Sequence, residues 1–407
     1  MLATLVPMFD ENMAVKGYSV FAQRENYLLD PIKSSSGRLD SAMRIEGLEI
    51  VEGLGLDTLS SDREVFIPIS NVSVFNDIKA QCDAPPEKIV LLFDHSIKPN
   101  ETYINRLHEL REQGYRMAIR KIPLNEFGDY KPIIDQMDYM FLNHKRVSIE
   151  KAKKLFNAIY PNVKLCAVAV STQDEFDELK KIGGFDLYEG EFFRVPVNGV
   201  DTETNPLKAT YIELLRVVND VDFDLTDAAD VIEHDPALVI QLLKMVNNMT
   251  VNSGITSVRH AAAMLGQKEL KRWINTAVAG QLYADKPSEL TRLSLIRARF
   301  MENLAAVFEM AGQSSELFLM GLFSVLDVIL DKPLDEALES VKVSKQIQDA
   351  LLKRKGPYAE VMGFIEEYEN ASWQEVSRIM LLQDLPMNDV YQGYLSALQW
   401  YRDLINL

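Results

Sequence analysis

Only two cysteines, Cys82 and Cys166, occur in 407 residues. That excludes a disulfide framework and a four-thiolate structural zinc site. No apolar run reaches the roughly 18–20 residues that cross a bilayer. The opening MLATLVPMFDEN has no basic stretch and meets two acids by residue 11, so it makes a poor secretory signal. Positive charge is also short, with 43 Lys and Arg against 60 Asp and Glu and a formal net charge of −17. Such a balance opposes binding to phosphate backbones, which depends on Lys and Arg displacing counterions. Neither GxxxxGK[ST] nor GxSxG occurs, and Gly53-Leu54-Gly55 follows a helical stretch and lacks a third glycine. These absences lead us to expect a cytoplasmic protein with no membrane or nucleic-acid partner.

What is present is ordinary globular composition, 47% hydrophobic and 25% charged, in a length that suits two or three domains. The two halves differ in texture. Up to about residue 195, short β-rich runs alternate with amphipathic helical stretches. The runs are VKGYSVFA (15–22), EVFIPI (64–69), EKIVLLF (87–93), YRMAIR (115–120), DYMFLN (138–143), VKLCAVAV (163–170) and FDLYEGEFF (185–193). Strand and helix alternating in this way predict parallel β/α units, closed as a (β/α)8-type barrel or open as a doubly wound sheet. Asn198 to Pro206 is polar and breaks both periodicities. Beyond it, apolar spacing near 3.6 runs to the end with no strand, predicting an all-helical domain. The expected division is residues 1–197, a linker at 198–205, and 206–407. The first 200 residues carry 24 basic and 30 acidic side chains (net −6); the other 207 carry 19 and 30 (net −11).

Along the first half, VPMFDENMAVKGYSVFAQ, FIPIS (66–70), VLLFDH (90–95), GYRMAIRKI (114–122), DYMFLN, CAVAVST (166–172) and YEGEFFRVP (188–196) resemble, in order, the strand motifs of EAL domains. The last of these stands where that family has YQGYFFSKP. The resemblance is to bacterial EAL–HDOD signalling proteins, and it implies a TIM-like barrel. EAL phosphodiesterases hydrolyse cyclic di-GMP with two divalent metals held by carboxylates and an asparagine at the strand ends. Hard cations take oxygen ligands, and a metal-bound water supplies the nucleophile. At the matching positions this chain has Ser19, Gln23, Pro68, Leu92, Arg120 and Lys121, then Phe141, Asn143, Ala169 and Ser171. These departures imply a degenerate domain with no catalytic residue, no metal and no cofactor. Arg120 and Lys121 could instead attract an anion or form a solvated or internally paired charge cluster.

The second half carries VIEHDPALVIQLLKMVNN (231–248), ITSVRHAAAMLG (255–266) and KELKRWI (268–274), which resemble the start of an HDOD domain. HDOD domains are relatives of HD phosphohydrolases. Where those read GLLHDIG this chain reads GLFSVLD, with Ser324 and Val325 in place of the dyad. His234-Asp235 opens a helix, with Asp235 suited to cap the turn beginning at Pro236. Met245, Met249, Met264, Met301, Met310 and Met320 fall in helical stretches and read as core.

From the departures in both halves we expect no enzymatic activity. The expected function is a signalling scaffold acting through a protein partner, with a homodimer as one option. The alternative is a receptor that senses cyclic di-GMP or another nucleotide. Asn247, Asn248, Lys268, Lys271, Arg272 and Trp273 are the candidate interaction surface. The alternatives are that Trp273 is core and the basic residues a solvated helix face, or that these residues form an anion or nucleotide site.

Overall fold

A computed structural model describes residues 1–24, 44–146, 149–194, 206–220, 222–249, 255–282 and 288–405. The expected linker at 198–205 lies outside these residues. Eight strands close a barrel in sequence order: β1 (Leu2–Phe9), β2 (Val15–Gln23), β3 (Glu64–Pro68), β4 (Ile89–Asp94), β5 (Arg116–Arg120), β6 (Tyr139–Asn143), β7 (Lys164–Val170) and β8 (Leu187–Gly190). Each of the seven β-rich runs supplies a strand, and closure decides between barrel and open sheet.

The eighth strand, β1, comes from the N-terminal segment and runs antiparallel to both β2 and β8, whereas β2 to β8 are mutually parallel. The Asp10 carboxylate accepts the Asn12 and Ala14 N–H groups at 2.8 and 3.0 Å, folding the chain back at once. So short a connection can only make a hairpin, because a parallel return needs a crossover.

Met8, Phe66, Val90, Leu92, Ala118, Tyr139, Phe141, Cys166 and Leu187 form the interior cluster of the barrel. At the start of the strands Glu64 pairs with Arg116 and accepts the Tyr139 hydroxyl at 2.7 Å. At the other pole β7 and β8 shift register, and a Cβ on Gly190 would lie 2.0 Å from the Val170 carbonyl oxygen. Only glycine permits that approach.

The compact units do not follow the linear division expected from the sequence. One contains Met1–Val195 together with Phe364–Arg402, the other Pro196–Gly363 with Asp403–Leu407. Helical periodicity reports that a face is buried, not which surface buries it, so the returning helices were indistinguishable from those before them. In the barrel unit, the fully buried Tyr368 hydroxyl accepts the Ala3 N–H at 3.2 Å, and its ring meets Trp373 and Tyr394. Gln23 Nε2 donates to Ser377 Oγ at 3.1 Å, and Arg402 to Thr58 Oγ1 at 3.0 Å.

The second unit is helical. Its long helix Val258–Leu282 breaks at Gly266 (φ 73°), where the sequence pattern also divides. Asp224 and Asp235 cap their helices, the latter accepting from Ala237 and Leu238 N–H at 2.8 and 3.2 Å. A Cβ on Gly321 would come 2.6 Å from Ala298 Cα, so glycine lets the helices Ser288–Leu304 and Ser314–Phe323 cross closely. Among the described residues no helix is long and apolar enough to cross a membrane.

Candidate functional site at the barrel mouth

The ends of parallel barrel strands are where loops from several strands converge, and sites in this architecture form there. Here they open on a cavity of about 1080 Å3, as large as the bigger small-molecule pockets. Its lining includes Arg120 and Lys121 from the end of β5, Asn143 and Arg146 after β6, Ala169 in β7, Glu189 in β8, and Glu369, Asn370 and Trp373 from the returning segment. Lys121 and Ala169 both have positive φ, 60° and 63°. Side chains other than glycine adopt this conformation uncommonly.

Arg120 is central to the electrostatics. Its guanidinium lies over the Phe21 ring at 5.4 Å, and its Nε is buried with no hydrogen-bond partner. Burial pulls its pKa down, while the charges of Glu189 and Asp94 oppose that shift. Glu189 answers from β8: burial pushes its carboxyl above the ordinary range, opposed by Arg120 and by the Ser19 hydroxyl, which donates to it at 3.1 Å. Asp94 is held below the ordinary carboxylate range by Ser96, His95 and Lys121, against the effect of its own burial. The mouth therefore presents a partly desolvated Arg–Glu couple beside a lysine.

The positions singled out in the sequence separate into three groups. Arg120, Lys121, Asn143 and Ala169 line the cavity, as does Phe141, whose ring also packs against Phe66 in the core. Leu92 is buried in that same core, and Ser19 is buried beneath Glu189. Gln23 bonds Ser377, while Ser171 accepts from Lys145 Nζ at 3.0 Å; Pro68 ends β3. Glu189 was missed. Its signal was legible, since a glutamate stands between Tyr188 and Gly190 where the resembling family has glutamine.

This donor set does not fit a pair of divalent cations. The matched strand ends offer hydroxyl, amide and apolar groups and two cations. Among the described residues no group of three His, Cys, Asp or Glu side chains is placed to hold a metal.

In the helical unit, Asn247 spends its amide on the backbone of Ile255, accepting its N–H at 2.7 Å and donating to its carbonyl at 2.9 Å. Arg272 pairs with Glu302 at 3.1 Å and lies over Phe318. Lys271 is half-buried, with its pKa lowered by desolvation. Trp273 is half-buried; Asn248 and Lys268 are exposed. Ser324 accepts from Arg297 at 2.6 Å and donates to the Gly321 carbonyl, and Val325 is core. Of the methionines read as core, Met301 and Met320 are buried and Met245 and Met310 half-buried, but Met249 and Met264 are exposed.

The closed eight-stranded barrel and the separate helical unit agree with the architecture that the EAL–HDOD resemblance implies. The HDOD domain family matches residues 205–354. The chain is 29% identical over 332 residues, 79% of its own length and 75% of the relative's, to a protein of Vibrio cholerae named cyclic di-GMP phosphodiesterase CdgJ. It is 26% identical over 371 residues, 87% of each chain, to the uncharacterized protein YuxH of Bacillus subtilis. Among solved structures, a standalone EAL protein of Vibrio cholerae bound to c-di-GMP matches 46% of this chain and 89% of its own at 17% identity and TM-score 0.35. The EAL enzyme Bd1971 in its cAMP-bound form matches at 15% identity and TM-score 0.34, and the alignment spans 46% of this chain and 61% of that chain. The likeness to CdgJ overturns one expectation from the sequence, that the chain is not an enzyme. That expectation rested on side chains missing from single positions, and a relative named as a phosphodiesterase outweighs it.

Proposed function

We propose that this is a cytoplasmic protein of cyclic di-GMP signalling whose barrel mouth takes an anionic nucleotide and whose helical domain passes the signal to a protein partner. The observation that carries the reading is Arg120: a guanidinium with an unpartnered, buried Nε, facing a cavity large enough for a dinucleotide, beside Lys121. A phosphate in the cavity would pair with the guanidinium's charge and replace the solvent the arginine has lost. CdgJ is named for cyclic di-GMP, which makes this dinucleotide the ligand to test first. Calorimetry with cyclic di-GMP, with and without Mg2+, should give saturable binding that Arg120→Gln weakens about tenfold or more, a loss of roughly 1.4 kcal/mol. Parent protein that binds none would overturn the reading. Assay of the same samples for linear dinucleotide measures turnover directly.

The scaffold role is supported by a separate observation. Met249 and Met264 are exposed, and methionine suits adaptable protein contacts. Charge reversal at the exposed Lys268, with Met264→Glu, should preserve folding and reduce capture of a host partner about tenfold. Unchanged capture would move the contact off this face.

A further inference from the structure

We infer that the returning segment Tyr368–Ser377 forms one wall of the ligand site, and that Trp373 is the face on which a purine base of the bound nucleotide stacks. The inference rests on the nucleotide reading of the mouth and names how that site tells a nucleotide from a bare phosphate.

The lining carries three phenylalanines and one tryptophan besides the cations. Three are already engaged. Phe21 lies under the Arg120 guanidinium, Phe193 lies under that of Arg194 and tilts against Phe9, and Phe141 meets Phe66 edge-on in the barrel core. Trp373 is half-exposed, and its contact with Tyr368 is nearly perpendicular, at 83° and 5.4 Å between ring centres. That contact fixes the indole without laying a parallel ring over it.

The wall is held before any ligand arrives. Arg194 bonds Glu369 at 3.2 Å and Asn370 at 3.4 Å, Tyr368 is tied to Ala3 in β1, and Ser377 to Gln23 at the end of β2. Between these anchors Ala371 takes a left-handed conformation (φ 53°), and the Trp373 N–H donates to its carbonyl at 2.8 Å, so the turn sets where the indole begins. A surface fixed in advance loses little freedom when a ligand binds. Every base has a π-face, so an aromatic wall opposite in chemistry to the cations suits the other end of a nucleotide.

The test uses the full chain with cyclic di-GMP and inorganic pyrophosphate as probes. Trp373→Leu, which keeps an apolar side chain, should weaken cyclic di-GMP about tenfold or more and leave pyrophosphate unchanged. Trp373→Phe should restore most of the loss. A second measurement stands if the leucine variant fails to fold: in a Trp273→Phe, Trp400→Phe chain, cyclic di-GMP should quench the remaining indole emission and pyrophosphate should not. Parent-like dinucleotide binding by a folded Trp373→Leu protein, or no quenching, overturns the stacking wall. If Arg120→Gln still weakens binding in that case, the nucleotide reading survives. A parent that binds no cyclic di-GMP overturns both.

Discussion

Arg194 and Glu369, 175 residues apart in sequence, meet at 3.2 Å between guanidinium Nη1 and carboxylate Oε2. Their side chains are only 16% and 10% exposed. The pair closes the returning segment against the end of the barrel's last strand, beside the cavity. An ion pair shielded to this degree is poorly hydrated, so removing one partner deprives the other of its counter-charge.

Glu369→Ala should therefore destabilise the barrel unit by about 3 kcal/mol, read from urea midpoints at unchanged slope. A double variant lacking Arg194 as well should recover part of that loss. Equal loss in single and double variants would mean that the pair is solvated.

A hydroxyl supplies the second anchor. Tyr368→Phe keeps the buried ring but leaves the Ala3 N–H without its acceptor. An orphaned buried donor costs about 1–3 kcal/mol. Amide exchange at Ala3 should speed up more than exchange in the strands that Tyr368 does not touch; uniform protection would count against the anchor.

Much of this was readable in the sequence, for identifiable reasons. Seven strands announced themselves because a parallel strand buried on both sides is a compact apolar run between helices. The eighth was hidden because β1 pairs through the Asp10 hairpin, outside the β/α alternation. The mouth's cations were found at Arg120 and Lys121. Their counterion Glu189 was not, because it stands at a position where the resembling family carries a neutral glutamine and no ligand. Trp373 could not be found at all, since only the tertiary return places it at the mouth.

Glu189 gives a pH test whose sign is fixed by its environment. Its folded-state pKa lies above the ordinary 4.5, so the folded protein holds that proton more tightly than the unfolded chain. Stability from this group is then lost as pH rises from 4.5 through the raised folded value. Glu189→Gln removes the loss: variant and parent should match near pH 4, and the variant should gain as pH rises from 4.5 through the raised folded value of the parent. It should also bind cyclic di-GMP more tightly at pH 8, since a carboxylate no longer competes for Arg120. A stability difference that is flat in pH would show that Glu189 titrates normally.

The linker offers the last test. If the compact units were linear, a protease cut within 198–205 would release the barrel from everything after it. The contacts of Ala3 with Tyr368, Gln23 with Ser377, Thr58 with Arg402 and Arg194 with Glu369 predict the opposite. These bind residues before the cut to residues after it, and the returning helices bury fully enclosed side chains such as Tyr368 and Val376. Burying each large apolar side chain contributes about 1.5–3 kcal/mol, so several together hold a nicked chain in one piece. The cut protein should run at the mass of the intact chain on a sizing column and separate only in denaturant. A fragment 1–197 expressed alone should aggregate, and the same fragment joined to 364–402 through a flexible linker should fold. Separation of the nicked halves in native buffer would restore the linear division.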